Sequence, residues 1–283
     1  MQGAETIDDV PTLDAAADLE ALVQGSPDLF RVAVNLPNAR ISEADGMFGS
    51  RNAGYYFSCG MDAARRCVDA LDRNGFPQSE VGRILDYACG FGRVGRALQA
   101  CFPDAELMGV DVDPKAIAHY GAILGVETAA LAKDEHAAKA IEGPFDLIWV
   151  GSLFTHLPQY FVSILLRDLG ALLSARGVLA FTLHGDYVIG RLESGLEFGG
   201  DVMRVVQRDY GLGPGEVREV VAGFRAAGFG FAPYPGMSGY GISATAVDTI
   251  REMIAKSDLR LIVHLERGWV RHQDFCAVGG ATA

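Results

Sequence analysis

The side chains best placed to do chemistry are acids, glycines and histidines that fall where short apolar runs end. Asp86 lies near the end of the run Arg83 to Tyr87, directly ahead of Ala88-Cys89-Gly90-Phe91-Gly92-Arg93, and Gly95 completes a G-x-G-x-x-G spacing. Glycines without Cβ let backbone approach a ligand closely, and the first amides of a following helix point outward unpaired. The spacing alone fits several cofactor classes, the dinucleotides among them. Asp86 narrows the choice, because an acid ahead of the glycines repels a pyrophosphate but suits a cofactor carrying an ammonium and a sulfonium. Asp111 closes the next apolar run, 21 positions beyond Gly90, where an acid can accept hydrogen bonds from two ribose hydroxyls. A simple turn residue is the competing role. His156 and His184 follow two later runs. Both are candidates for a general base, with unperturbed pKa values near neutrality. The bland alternatives are that His156 caps the next helix or packs beside the cofactor, and that His184 bonds backbone in a turn.

These residues need a frame that holds run ends side by side. Arg83 to Tyr87 reads as a strand buried on both faces, and Val94, Ala97, Leu98 and Cys101 as the stripe of a helix packed on it. Strands are expected at Glu106 to Asp111, around Val126 to Leu131, at Phe145 to Val150 and at Gly177 to Leu183. Asp113 as N-cap, Pro114 at the first helical position and Gly125 as terminator bracket one helix, and Pro158 opens another. Strands alternating with helices imply an α/β fold, a doubly wound, mostly parallel sheet with right-handed crossovers, whose ligands bind at the strands' carboxyl ends.

The segment from Asp86 to Arg93 resembles the first motif of class I, Rossmann-like, S-adenosylmethionine (SAM) dependent methyltransferases. Gly109-Val110-Asp111-Val112-Asp113-Pro114 is similar to the second motif, and Phe145 to Ile148 continuing to Ser152 to Leu157 to the fourth. The last segments, Tyr240 to Ser243 and His272 to Phe275, look like family members whose final hairpin ends in Gln-Asp. The resemblance implies a seven-stranded sheet and a SAM site built from Asp86, Ala88, Cys89, Gly90, Phe91 and Gly92 of the first motif. Asp111 and Val112 of the second motif, and Ser152 and Leu153 of the fourth, complete it. It also implies that Tyr56, ahead of a helix expected over Met61 to Leu71, faces the cofactor; packing of Tyr55 and Tyr56 on the sheet edge is the other reading. Asp134 stands where relatives contact the adenine amino group, yet it lies in a charged, solvated run. Where this chain has Ala88 many relatives have glycine, and a Cβ restrains the backbone if positive φ is required there.

The expected domains are a leader or helical extension over 1–50, a SAM-binding core over 51–185, an inserted cap over 186–240 and C-terminal strands over 241–283 completing the sheet. The leader contains Leu13 to Val23, readable as an amphipathic helix or as flexible chain. The insertion contains expected helices at Asp201 to Tyr210 and Glu216 to Ala227; long insertions are usually functional, so a substrate cap is expected, with a dimer arm as the rival use. Ser243 to Ala255 reads as a helix, with strands at Arg260 to Leu265 and Phe275 to Gly279 around a turn from Trp269 to Asp274.

With 24 basic and 36 acidic residues the chain carries a formal charge of -12, a field that disfavours nucleic acid and anionic membranes as partners. A small molecule or sugar is the expected substrate, with a possible homodimer. The five cysteines lack C-x-x-C spacing, so neither a disulfide framework nor a metal is expected. The chain reads as a soluble cytoplasmic enzyme moving a methyl group from SAM to oxygen or nitrogen. Two alternatives stand beside it: a SAM-binding partner or sensor without catalysis, and an NAD(P)-dependent oxidoreductase.

Overall fold

The computed structural model describes residues 12–17, 39–48, 52–134 and 136–281. A seven-stranded sheet runs in the order β10-β11-β7-β6-β3-β4-β5. Its strands are β3 (Arg83–Tyr87), β4 (Glu106–Asp111), β5 (Glu127–Ala130), β6 (Phe145–Val150), β7 (Leu173–Leu183), β10 (Leu259–Trp269) and β11 (Gln273–Gly280). β3 to β7 pair in parallel; β11 is antiparallel to both β7 and β10. A seven-stranded, mostly parallel sheet with helices is what the sequence predicts.

Alternation along the strands explains the two cores. Ile84, Leu147, Trp149, Val178 and Ala180 face one side, while Leu85, Ile148, Val150, Leu179 and Phe181 face the other, all of them buried. The first side is covered by α1 (Ala53–Arg73), α2 (Gly95–Cys101) and α3 (Pro114–Leu124). The second is covered by α4 (Gln159–Gly170) and α8 (Val247–Lys256). As read from the sequence, the Asp113 carboxylate accepts from the Lys115 amide at 2.9 Å at the start of α3, and Gly125 ends it in the left-handed region at φ 66°. α1 begins earlier than expected. Asn52 caps it by accepting from the Tyr55 amide at 2.9 Å, so Tyr55 and Tyr56 sit in its first turn rather than ahead of it.

Ahead of α1, β1 (Thr12–Asp14) pairs antiparallel with β2 (Arg40–Ser42). Leu13 is therefore extended, not the start of a helix; residues 18–23 of that expected helix lie outside the described residues. After β7 come α5 (Asp186–Phe198), α6 (Asp201–Tyr210), α7 (Pro214–Ala227) and the antiparallel pair β8 (Phe229–Pro233) and β9 (Gly241–Thr245). They share a separate apolar cluster that includes Val188, Ile189, Val217, Phe224, Ala232 and Ile242. Two departures from expectation occur here. α5 escapes a propensity reading because Gly190 and Gly195 weaken its helical signal. Gly241 to Thr245 forms a strand, and the helix read from Ser243 starts only at Val247. The Gly241, Ser243 and Thr245 amides each donate at 2.8 Å, to the carbonyls of His156, Thr155 and His184, so β9 fastens the insertion onto the ends of β6 and β7. Among the described residues no helix is long and apolar enough to cross a membrane.

Candidate active site

β3 and β6 are neighbours from which the chain departs in opposite directions, and the cleft opens at their carboxyl ends. The turn after β3 is left-handed at Ala88 (φ 61°), Gly90 (φ 53°) and Gly92 (φ 86°). Neighbouring segments pin it: the Cys89 amide donates to the Val110 carbonyl at 3.0 Å and the Gly90 amide to Asp111 Oδ2 at 2.9 Å. Arg96, almost wholly buried, donates to the Gly92 carbonyl at 2.9 Å, the Phe91 carbonyl at 3.4 Å and, across to β2, the Arg40 carbonyl at 3.1 Å. Gly95 serves packing, since any Cβ there would overlap the ring of Tyr120. That ring's hydroxyl in turn donates to Asp86 Oδ2 at 3.1 Å.

Ala88 thus occupies the left-handed backbone that glycine takes without cost. Replacing Ala88 by Gly should relieve a left-handed strain of roughly 1 to 2 kcal/mol, offset by the greater freedom glycine has in the unfolded chain. The net expectation is a gain of up to about 1 kcal/mol, read as a higher midpoint of urea unfolding with unchanged slope. A lower midpoint would show that the Cβ packs more than it strains.

The cleft has a volume of about 310 Å³, within the range of small-molecule sites. Asp86 and Asp111 line it together, as do Ala88, Cys89, Gly90, Phe91 and Val112 from the first two motifs and Ser152, Leu153 and His156 after β6. Asp86 is buried, and burial pushes its carboxyl up to about 7; the nearby Asp111 adds to the rise and the Tyr120 hydrogen bond opposes it. Asp111 accepts the Gly90 and Asp113 amides, one on each oxygen at 2.9 Å, which leaves lone pairs on both. Ser152 is itself left-handed at φ 56°, held by its amide to Thr182 Oγ1 at 2.8 Å and by Gln273 Nε2, which donates to its hydroxyl at 2.8 Å.

Three residues read as site members stand apart from this wall. Tyr56 does not face the cleft: it is buried in α1, and its hydroxyl donates to Asp45 Oδ2 at 2.7 Å. Gly92 shapes the turn without lining the cleft. His184 lies behind the site, not at its rim. It is buried, its Nδ1 is 3.1 Å from the Ser243 carbonyl, and burial with His156 and His272 nearby pushes its pKa down to about 3. Asp134 caps a surface turn by accepting the His136 amide at 2.8 Å. Conversely, Asp45 and Met47 line the cleft from the N-terminal segment, with Trp149 and Trp269, none of which the motifs single out; Tyr240, from the resembling segment Tyr240 to Ser243, lines it as well. Asp45 is placed there by Tyr56, and the nearby β2 by Arg96, contacts between residues far apart in sequence.

His156 is the histidine at the cleft. Its Nδ1 lies 2.9 Å from the Gly241 carbonyl and 2.8 Å from the Tyr234 hydroxyl. The carbonyl only accepts, so its contact is satisfied when Nδ1 carries the hydrogen, the tautomer that keeps a lone pair on Nε2. Burial holds the imidazole below its usual pKa, so it is neutral at physiological pH. Among the described residues no group of three or more histidine, cysteine or carboxylate side chains could hold a metal ion.

Residues 85–179, from β3 into β7, match the family described as "Methyltransferase domain". The malonyl-[acyl-carrier protein] O-methyltransferase of Magnetococcus marinus is 29% identical over 170 residues, which are 54% of this chain and 58% of that protein. The chain thus aligns with little more than half of this relative's length. Among solved structures, a SAM-dependent methyltransferase from Clostridium acetobutylicum is similar at a TM-score of 0.51 and 12% identity, over 78% of this chain and 92% of that one. Mitomycin 7-O-methyltransferase MmcR is similar at 0.52 and 12% identity, over 93% of this chain and 60% of that one. At such identities these likenesses speak to the fold alone. Residues 85–179 thus carry a methyltransferase domain, and in motifs and fold the chain is similar to the class I, Rossmann-like, SAM-dependent methyltransferases.

Proposed function

We propose that the protein moves a methyl group from SAM to oxygen or nitrogen of a small molecule or sugar by in-line displacement. The observation that carries this reading is that Asp86 and Asp111, from the ends of adjacent strands, face one cleft together with His156. When bound, SAM supplies an electrophilic methyl group on a sulfonium. The residues present fit such a ligand: Asp111 has free lone pairs for two ribose hydroxyls, and the left-handed glycine turn lets backbone approach closely. Asp86 lies where the cationic methionyl end would pass. His156 offers Nε2 to an acceptor that must lose a proton. Holding acceptor and methyl in line accounts for much of the rate, so no covalent intermediate on the protein is called for. Three acids, Asp45, Asp86 and Asp111, line the cleft and disfavour a pyrophosphate, which argues against a nicotinamide cofactor.

The buried Asp86 makes this reading testable by pH. A carboxyl near pKa 7 in the free protein must ionise to pair with a cation, and pairing lowers its pKa. SAM affinity should therefore rise with pH up to about 7 and level off above it, with a proton released on binding near pH 6. Titration calorimetry in two buffers of different ionisation enthalpy reads that proton directly; an Asp86→Asn variant should release none. The overall reading is tested by calorimetric binding of SAM against NAD, followed by formation of S-adenosylhomocysteine with a panel of hydroxyl and amine acceptors. Binding of NAD and not SAM would overturn it. Binding of SAM without turnover across a broad panel would favour the sensor reading.

A further inference from the structure

Where the inserted segment meets the core, His156 and Tyr240, which line the cleft, belong to a cluster of rings that continues outward through Tyr234 and Tyr210. The His156 ring centroid lies 5.1 Å from that of Tyr240, 5.8 Å from Tyr234 and 6.3 Å from Tyr210, and the last two tyrosines stack with planes 7° apart. Tyr210 ends α6, while Tyr234 and Tyr240 stand at the two ends of the β8–β9 connection, which the Tyr234 amide closes by donating to the Tyr240 carbonyl at 3.0 Å. The cluster is anchored to the site itself, because Gly241 shares two hydrogen bonds with His156, its amide donating to the His156 carbonyl at 2.8 Å and its carbonyl accepting from Nδ1 at 2.9 Å.

The chemistry of this cluster is one-sided. From Ala226 to Val247 there is no charged residue, in a chain that is 21% charged. Met47, Val112 and Tyr240, all lining the cleft, remain 57%, 41% and 40% exposed, and Tyr210 remains 37% exposed. Large apolar side chains left in water together mark a ligand surface. A sugar calls for amide, carboxylate or guanidinium partners for its several hydroxyls, and an anion for lysine or arginine. The ring cluster supplies neither, and Arg93, the cation lining the cleft, lies over the Trp269 ring at 5.4 Å.

We infer that the acceptor is a flat, uncharged aromatic molecule bearing a hydroxyl, seated against Tyr240 and Tyr210 with its oxygen beside Nε2 of His156. This rests on the methyl-transfer reading and narrows its acceptor class. In the step it implies, the hydroxyl proton passes to His156 Nε2 as the oxygen lone pair bonds to the methyl carbon. The carbon–sulfur bond breaks with its electron pair staying on sulfur, and the imidazolium then returns its proton to water.

The test is calorimetric titration of the protein, saturated with S-adenosylhomocysteine, with 2-naphthol, methyl glucoside and malonate. Only 2-naphthol is expected to bind, and Tyr210→Ala is expected to weaken it roughly ten-fold, the scale of one lost ring–ring contact. Tyr210→Phe should restore binding, and both variants should keep wild-type affinity for SAM. Mass spectrometry should find O-methylated naphthol after incubation with SAM. Binding of the glucoside or malonate in preference to naphthol overturns the inference, as does naphthol affinity indifferent to Tyr210→Ala. Selectivity of the unaltered protein decides the matter even if a variant fails to fold. The two readings fail separately: SAM bound with naphthol ignored removes the aromatic acceptor alone, whereas no binding of SAM removes methyl transfer.

Discussion

Replacing Asp111 by alanine is expected to raise the dissociation constant for SAM about a hundred-fold. A charge-assisted hydrogen bond contributes about 1.5 to 3 kcal/mol, and 1.4 kcal/mol is a factor of ten, so losing two bonds to the ribose reaches that size. The geometry adds a second contribution, because the same carboxylate holds the Gly90 and Asp113 amides. Those amides are partly exposed and water can take over the bonds, so this contribution is the smaller. Asp111→Asn keeps the shape and one acceptor oxygen, and should fall between the two, about ten-fold weaker than wild type. Calorimetry supplies the constants, and thermal unfolding of the ligand-free variants separates a lost contact from a loosened turn. An alanine variant that binds SAM like wild type would remove Asp111 from the cofactor site.

The parts of this site that sequence reveals are those fixed by short-range spacing. The parts it conceals depend on long-range packing. Strands β3, β4, β6 and β7 are legible because their residues are apolar toward both cores, and α3 because Asp113, Pro114 and Gly125 mark its ends, whereas β5, Glu-Thr-Ala-Ala, has no buried residue and gives only a weak signal. Asp86, the glycine turn and Asp111 follow from those boundaries. Asp45 and Met47 do not, because their placement depends on Arg96 reaching the Arg40 carbonyl and Tyr56 reaching Asp45, contacts that no local pattern encodes.

The error over His184 has a traceable origin. It does follow directly on β7, as the apolar run from Gly177 to Leu183 predicts, and strand ends do point toward the cleft. What buries it is β9, whose Ile242-Ser243-Ala244-Thr245 looks like the start of a helix when only the following apolar stripe is counted. As a strand, the segment brings the Ser243 carbonyl onto the imidazole and its Thr245 amide onto the His184 carbonyl. The misread element and the misplaced histidine are one event. The same strand delivers Gly241 to His156, so the insertion that hides one histidine orients the other.

His156→Ala is expected to lower kcat by about 10² to 10⁴, the usual contribution of a positioned general base, while leaving SAM bound. The pH dependence is the sharper readout. The base form is the neutral imidazole, and burial favours it by holding the pKa below the unperturbed value near 6.5. Turnover by the wild type should therefore be flat at neutral pH and above, and should fall only on acidification through that depressed pKa; an exposed histidine would begin its fall earlier. In His156→Ala this acidic limb should vanish together with the rate. His184→Ala provides the contrast. It strips the Ser243 carbonyl of a buried partner, a loss of about 1 to 3 kcal/mol of stability, and should leave the acidic limb where it was. A His156 variant that keeps both most of its rate and an unaltered pH profile would mean that the acceptor sheds its proton to water, leaving alignment of acceptor and methyl as the protein's whole contribution.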